Sequence, residues 1–245
     1  MNKDKNSRLG YMDGLRDGIP IGLGYLSVSF GFGIMAVSEG LSVLAAVLIS
    51  MTNLTSAGQV AGIGIIAAGG TLIEMMLAQL IINMRYSLMS ISLSQKLDSS
   101  FTTPHRFLAS FGITDEIFAV ASGKNGEISN RYMYGLITVP FIGWTMGTLL
   151  GAAAGEILPA SVKAALGIAI YGMFLAIFIP PARKSVGVLV VVAFSAGLSC
   201  CFEYIPAFSG VSGGFVIIIC ALAASALGAF FFPVKDGEEA ESNDG

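Results

Sequence analysis

The chain has 245 residues, of which 54% are hydrophobic and only 12% charged, with a formal net charge of −3 and a mean hydropathy of +0.78. Charged residues are about half as frequent as in a soluble globular domain, too few to cover a globule of this size, so lipid is the natural solvent for the outer face. The balance argues against a soluble enzyme, and a small negative charge offers nothing to nucleic acid.

Charge is concentrated in three stretches, residues 1–17, 96–131 and 235–244. Elsewhere only Glu39, Glu74, Arg85, Glu156, Lys163, Arg183, Lys184 and Glu203 interrupt long apolar runs. The 31 glycines suit packed membrane helices, in which small residues let backbones approach closely. Cys200, Cys201 and Cys220 all lie in apolar runs and read as small membrane residues.

In chain order, residues 1–17 form a polar segment with Lys3, Lys5, Arg8 and Arg16, and such basic flanks stay in the cytoplasm. A first span follows at Ile19–Val37, with no signal-peptide cleavage pattern behind it. Further runs are Leu41–Ala68, Thr71 to about Ser92, Tyr132–Ala154, Val162–Ile179, Val186–Phe202 and Gly210–Phe232. The spacing predicts an all-α polytopic membrane protein of about six to seven transmembrane helices, since the runs lack the period of two of a barrel wall. The transmembrane domain covers residues 18–233, with a polar central stretch at 96–131, and an acidic tail covers 234–245.

Placing the N-terminus and Arg183/Lys184 inside makes Tyr132–Ala154 run outward and puts 96–131 inside. If Leu41–Ala68 and Thr71–Ser92 both crossed fully, Lys96 would lie outside, so one segment does not cross. Leu41–Ala68 is interrupted by Thr52-Asn53-Leu54-Thr55-Ser56-Ala57-Gly58-Gln59, which predicts two half-helices, Leu41–Met51 and Ala57–Ala68, in a broken or re-entrant arrangement. The charge rule favours the re-entrant form, or an additional dip by Arg106–Ser122. A possible internal repeat relates Gly33–Ser42 to Gly151–Ala160.

Three polar constellations fall among the apolar runs. Asn53, Thr55, Ser56, Gly58 and Gln59 place hydrogen-bonding groups at a helix break, which suits a zwitterion or a self-satisfied kink. Glu74, Gln79, Asn83 and Arg85 share the run after Thr71; ionisable groups there face a cavity, pair, or snorkel to an interface. Thr114-Asp115-Glu116 reads either as the first turn of a helix or as a proton-coupling pair. Gly210-Val211-Ser212-Gly213 matches a short intramembrane-protease pattern, but the only His, His105, lies in the polar stretch, and the run reads as helix packing. No metal or nucleotide motif is present, and no cofactor is implied.

Gly14-Leu15-Arg16-Asp17-Gly18-Ile19-Pro20-Ile21-Gly22, the break Ser56-Ala57-Gly58-Gln59, Ile82-Asn83-Met84-Arg85-Tyr86 and Ile113-Thr114-Asp115-Glu116 occur in an order and spacing that resemble the AzlC-type branched-chain amino acid permeases. The resemblance covers about Gly10–Ser122, with Tyr86 standing where a His is common. It implies a bacterial cytoplasmic-membrane exporter of branched-chain or related small neutral amino acids, proton-coupled and made with a small AzlD-type membrane subunit. It draws attention to Pro20, Gln59, Asn83, Arg85, Asp115 and Glu116. Substrate-binding residues are then expected among Asn53, Ser56, Gly58, Gln59, Asn83 and Arg85, and proton carriers among Glu74, Asp115 and Glu116. A non-catalytic membrane scaffold subunit is the alternative.

Overall fold

The computed structural model describes residues 9–233; residues 1–8, the tail 234–245 and the side chains at 156, 160, 163–167, 169, 170, 173 and 177, Glu156 and Lys163 among them, lie outside the described residues. The described chain is all-α. In order the helices are α1 (Tyr11–Ser38), α2 (Val43–Thr52), α3 (Ser56–Ala67), α4 (Leu72–Ser94), α5 (Thr103–Phe111), α6 (Asp115–Ser122), α7 (Asn130–Ile157), α8 (Ala160–Lys184), α9 (Val186–Tyr204) and α10 (Gly213–Phe231), with a 3-10 turn at Pro206–Phe208. By length and composition α1, α7, α9 and α10 are able to cross a membrane, whereas α2 and α3 are shorter apolar helices. The 23 residues of α4 are also long enough, at ~1.5 Å per residue, for ~30 Å of hydrocarbon, but they carry Glu74 and Arg85.

Local signals explain the boundaries. Gly40, at φ +88°, closes α1 in a left-handed conformation that lets the Leu41 N–H reach the Ala36 carbonyl at 3.0 Å. Ser42, Thr114 and Ser129 cap α2, α6 and α7 by accepting from the N–H of Ala45, Ile117 and Tyr132. The expected interruption is present, with Asn53-Leu54-Thr55 separating α2 from α3.

The chain divides into two compact units, one built from Ile82–Tyr171 with the chain up to Ile63, the other from Gly64–Ile81 with the chain from Gly172 onward. In the first, α1 and α7 lie side by side over their whole length. A Cβ on Gly14 would overlap Tyr132 and Gly135, one on Gly22 would lie 2.9 Å from the Val139 carbonyl oxygen, and one on Gly151 would overlap the Phe30 carbonyl. Contact positions rise together along both helices, so α1 and α7 are parallel, and glycine is what permits backbone-to-backbone approach. Both helices have 28 residues, and the Gly33 and Gly151 segments of the possible repeat are neighbours in this pair.

Parallel pairing requires the chain between Ser38 and Asn130 to return to the end where α1 begins. The second half of α4 accomplishes the return. Just beyond it, the Asp98 N–H donates to the Ile128 carbonyl at 3.0 Å beside the start of α7, while Arg85, nine residues before its end, lies at the depth of the centre of α1. The segments on either side of α4 turn back on themselves. Gln59 Nε2 donates to Ser50 Oγ at 3.2 Å, which a straight helix would hold about 13 Å further along its axis. Helix α5 climbs from Ser100, whose carbonyl accepts from Asn130 at 3.1 Å, to Thr114, and α6 descends to Lys124, whose Nζ pairs with Asp17 at 2.8 Å. The two segments offered as alternatives therefore both fold back, α2–α3 from one end and α5–α6 from the other. Beneath the second lies a core of Leu93, Phe101, Ile117, Ile128, Tyr132 and Met133.

In the second unit α9 and α10 run antiparallel, with Gly187 against Phe232 and Gly228 against Val191. Ile65, Ala78 and Ile218 form its small core.

Candidate functional site

The tips of the two hairpins meet an aromatic pair at the centre of the α1–α7 spine. Tyr25 and Trp144 are each the midpoint of a 28-residue helix, and their rings make an edge-to-face contact at 5.2 Å between centroids. Leu54, in the α2–α3 break, packs on both rings.

On the Trp144 side the chemistry is neutral. Trp144 Nε1 donates to Gln59 Oε1 at 3.0 Å, and Gln59 Nε2 donates to the Asn53 carbonyl at 2.7 Å as well as to Ser50 Oγ. Ser50 in turn shares a 2.7 Å hydrogen bond with Thr148. Gln59 is 1% exposed, so its amide is fully engaged in a dry network that fixes the angle between the half-helices. Asn53 takes part through its backbone carbonyl. Thr55 Oγ1 accepts from the Gly58 N–H at 3.1 Å, and Ser56 opens α3.

On the Tyr25 side the chemistry is ionic. Arg85 Nη2 pairs with Asp115 at 3.0 Å and donates to the Tyr86 hydroxyl at 3.0 Å, while the buried Arg85 Nε has no hydrogen-bond partner. The Tyr25 hydroxyl lies 2.6 Å from Thr114 Oγ1 and donates to the Glu116 carboxylate in a short hydrogen bond. Arg85 and Asp115 remain 41% and 37% exposed, and Glu116 is exposed, so the cluster is open on one side. Asn83 lies one half-turn before Arg85 on α4.

Glu74 belongs to the second unit and has different surroundings. Its Oε1 accepts from Ser212 Oγ at 2.6 Å and from the Gly214 N–H at 2.8 Å, which places a buried carboxylate on the N-terminus of α10. Ser212, the serine of the protease-like pattern, is thereby spent on Glu74, and His105 is hydrogen-bonded to Tyr134 at 2.6 Å in the first unit.

The structure thus brings Asn53, Gln59, Arg85, Asp115 and Glu116 around one aromatic pair, whereas Glu74 finds its partners, Ser212 and Gly214, within the second unit. Sequence reasoning missed Tyr25, Trp144, Ser50 and Thr148. One signal was available: Trp144, the single Trp, stands with Thr145 and Thr148 in the middle of an apolar run, where tryptophan normally marks the ends.

The AzlC protein family model matches residues 20–158, a stretch that contains both hairpins and the aromatic pair. The chain is 30% identical over 197 residues to the inner membrane protein YgaZ of Escherichia coli K12, covering 77% of this chain and 80% of that protein. It is 33% identical over 172 residues to a membrane protein of Archaeoglobus fulgidus, covering 69% and 75%. A Helicobacter pylori membrane protein is 26% identical over 151 residues, covering 60% and 64%. No solved structure matches.

Proposed function

Because the chain belongs to the AzlC family, we propose that it is a secondary exporter of branched-chain or related small neutral amino acids in a bacterial cytoplasmic membrane, with its N-terminus cytoplasmic. Family membership and the membrane-protein relatives support a role in membrane transport. The observation that carries the finer reading is the Arg85–Asp115 ion pair with Glu116 beside it, at mid-depth, where two re-entrant tips converge. Charged groups at that depth are costly unless they face an internal volume, and an Arg with an unused N–H beside carboxylates suits both ends of a zwitterion.

Roles then divide by chemistry. Arg85 receives the substrate carboxylate, Asp115 and Glu116 face its ammonium and carry protons, and the apolar surface of Leu54 and Phe141 near the aromatic pair meets its side chain. Gln59 and Asn53 hold the opposite tip in place. A small AzlD-type subunit completes the exporter. The chain acts as a carrier with no chemical transformation of substrate and no cofactor.

The test is efflux of radiolabelled leucine, valine and methionine from cells expressing the chain with and without the small subunit. Wild type should lower their accumulation; Gln59→Ala and Asp115→Asn should not, while still reaching the membrane. Normal efflux by both variants would sink the site assignment, and no transport by the purified pair in liposomes would favour a scaffold.

A further inference from the structure

We propose that Glu116 carries one exchangeable positive partner, alternately a proton and the ammonium group of an amino acid, and that this competition couples export of the substrate to inward passage of a proton. The proposal rests on the exporter reading and adds how its site is driven.

The titratable and charged groups around Glu116 are few. From α1 comes Tyr25; from α4, Arg85 and Tyr86; from α6, Asp115 and Glu116; α7 contributes Trp144, which does not titrate. One cation therefore stands against two carboxylates. Arg85 pairs with Asp115, whereas Glu116 is held by a phenol and by no cation, and the other ion pair among the described residues, Lys124–Asp17, is closed on itself. An exposed carboxylate at the centre of a spine about 42 Å long cannot face hydrocarbon as an anion. It needs a positive partner, and the described protein supplies none.

Two partners are at hand. A proton on Glu116 turns the acceptor of the ammonium into a neutral acid, so the two exclude each other electrostatically. The Arg85 side chain is 41% exposed beside the pair, so its guanidinium is accessible to a substrate carboxylate. A zwitterion is then gripped at both ends only while Glu116 is ionised. Release on the far side leaves Glu116 without a cation, which favours uptake of a proton there; return to the cytoplasmic side and exchange for a new ammonium releases it. Each turn carries one proton inward and one zwitterion outward, so an inside-negative potential drives export together with the pH gradient.

The full chain, reconstituted with its small subunit in nanodiscs, should bind labelled leucine with an affinity that weakens about tenfold per pH unit on the acid side of the titration. Glu116→Gln should bind weakly at every pH, at the acid-limit affinity of the wild type, and lose proton-driven accumulation in liposomes. Glu116→Asp, which keeps a carboxylate there, should keep the pH-dependent binding. A purely structural role for Glu116 would leave the pH dependence of binding intact in Glu116→Gln, and that result overturns the proposal. So does wild-type binding that ignores pH, or proton-driven accumulation by Glu116→Gln. Failure of the wild type to bind leucine, valine or methionine removes the exporter reading and the proposal with it; pH-independent binding removes the proposal alone.

Discussion

The two re-entrant hairpins of the first unit reach the same depth by the same device, a short break between two helices, yet their tips carry opposite kinds of chemistry. The α2–α3 tip is dry and neutral, and each polar group named around Gln59 has a partner in the protein. The α5–α6 tip is charged and half-exposed, with an Arg N–H unused and a carboxylate without a cation. A satisfied network rigidifies, while an unsatisfied one has affinity to spare for something that is not protein. On that difference rest the proposed roles, support for the first tip and binding and coupling for the second.

The strongest way to break the comparison is to remove the spine on which both tips rest. Gly151→Leu would force a side chain through the Phe30 carbonyl, and a loss of more than about 3 kcal/mol is expected, enough to abolish detergent-stable, monodisperse protein on size exclusion. Arg85→Ala comes next. It leaves two carboxylates at mid-depth with no cation, and leucine efflux should fall at least tenfold, about 1.4 kcal/mol in transition-state terms, with Arg85→Lys failing to restore it because one ammonium cannot present the same fork.

Two smaller effects sharpen the contrast. Gln59→Ala orphans Trp144 Nε1, Ser50 and the Asn53 carbonyl, which should cost about 1–3 kcal/mol of stability and appear as a lowered melting temperature with little change in the pH dependence of binding. A changed pH profile in that variant would show that the neutral tip also takes part in coupling. Glu74→Gln keeps an acceptor on the α10 N-terminus but removes the charge there, an effect of about 0.3–1 kcal/mol, and transport should stay close to wild type. Loss of proton coupling in Glu74→Gln would move the proton site to the second unit.

Much of the fold was legible in the sequence because it follows from local pattern. Apolar run length marks the spans, Gly40 and Ser42 mark the first turn, and the Asn53–Thr55 interruption disfavours helix in any context. The basic residues even required one segment to turn back, and two do. Individual site residues were partly legible for the same reason: Arg85, Asp115 and Glu116 are conspicuous as ionisable groups among apolar neighbours. Tyr25 was not. An aromatic inside an apolar run looks the same from sequence whether it faces lipid, a packed helix or a carboxylate, and its partners lie about 90 residues away at Thr114 and Glu116.

The sequence by itself therefore determined that the chain lives in a bilayer, that its helices are broken near Asn53, and that a few charges sit where lipid would not tolerate them alone. Only the tertiary structure decided which of those charges meet. The parallel register of α1 against α7 brings Tyr25 and Trp144 to one depth, and that register depends on backbone contacts between glycines about 120 residues apart, for which no local propensity exists. It also decided that Glu74 serves a helix end while Glu116 is left without a cation, because the partner of a buried charge is set by packing and not by its neighbours along the chain.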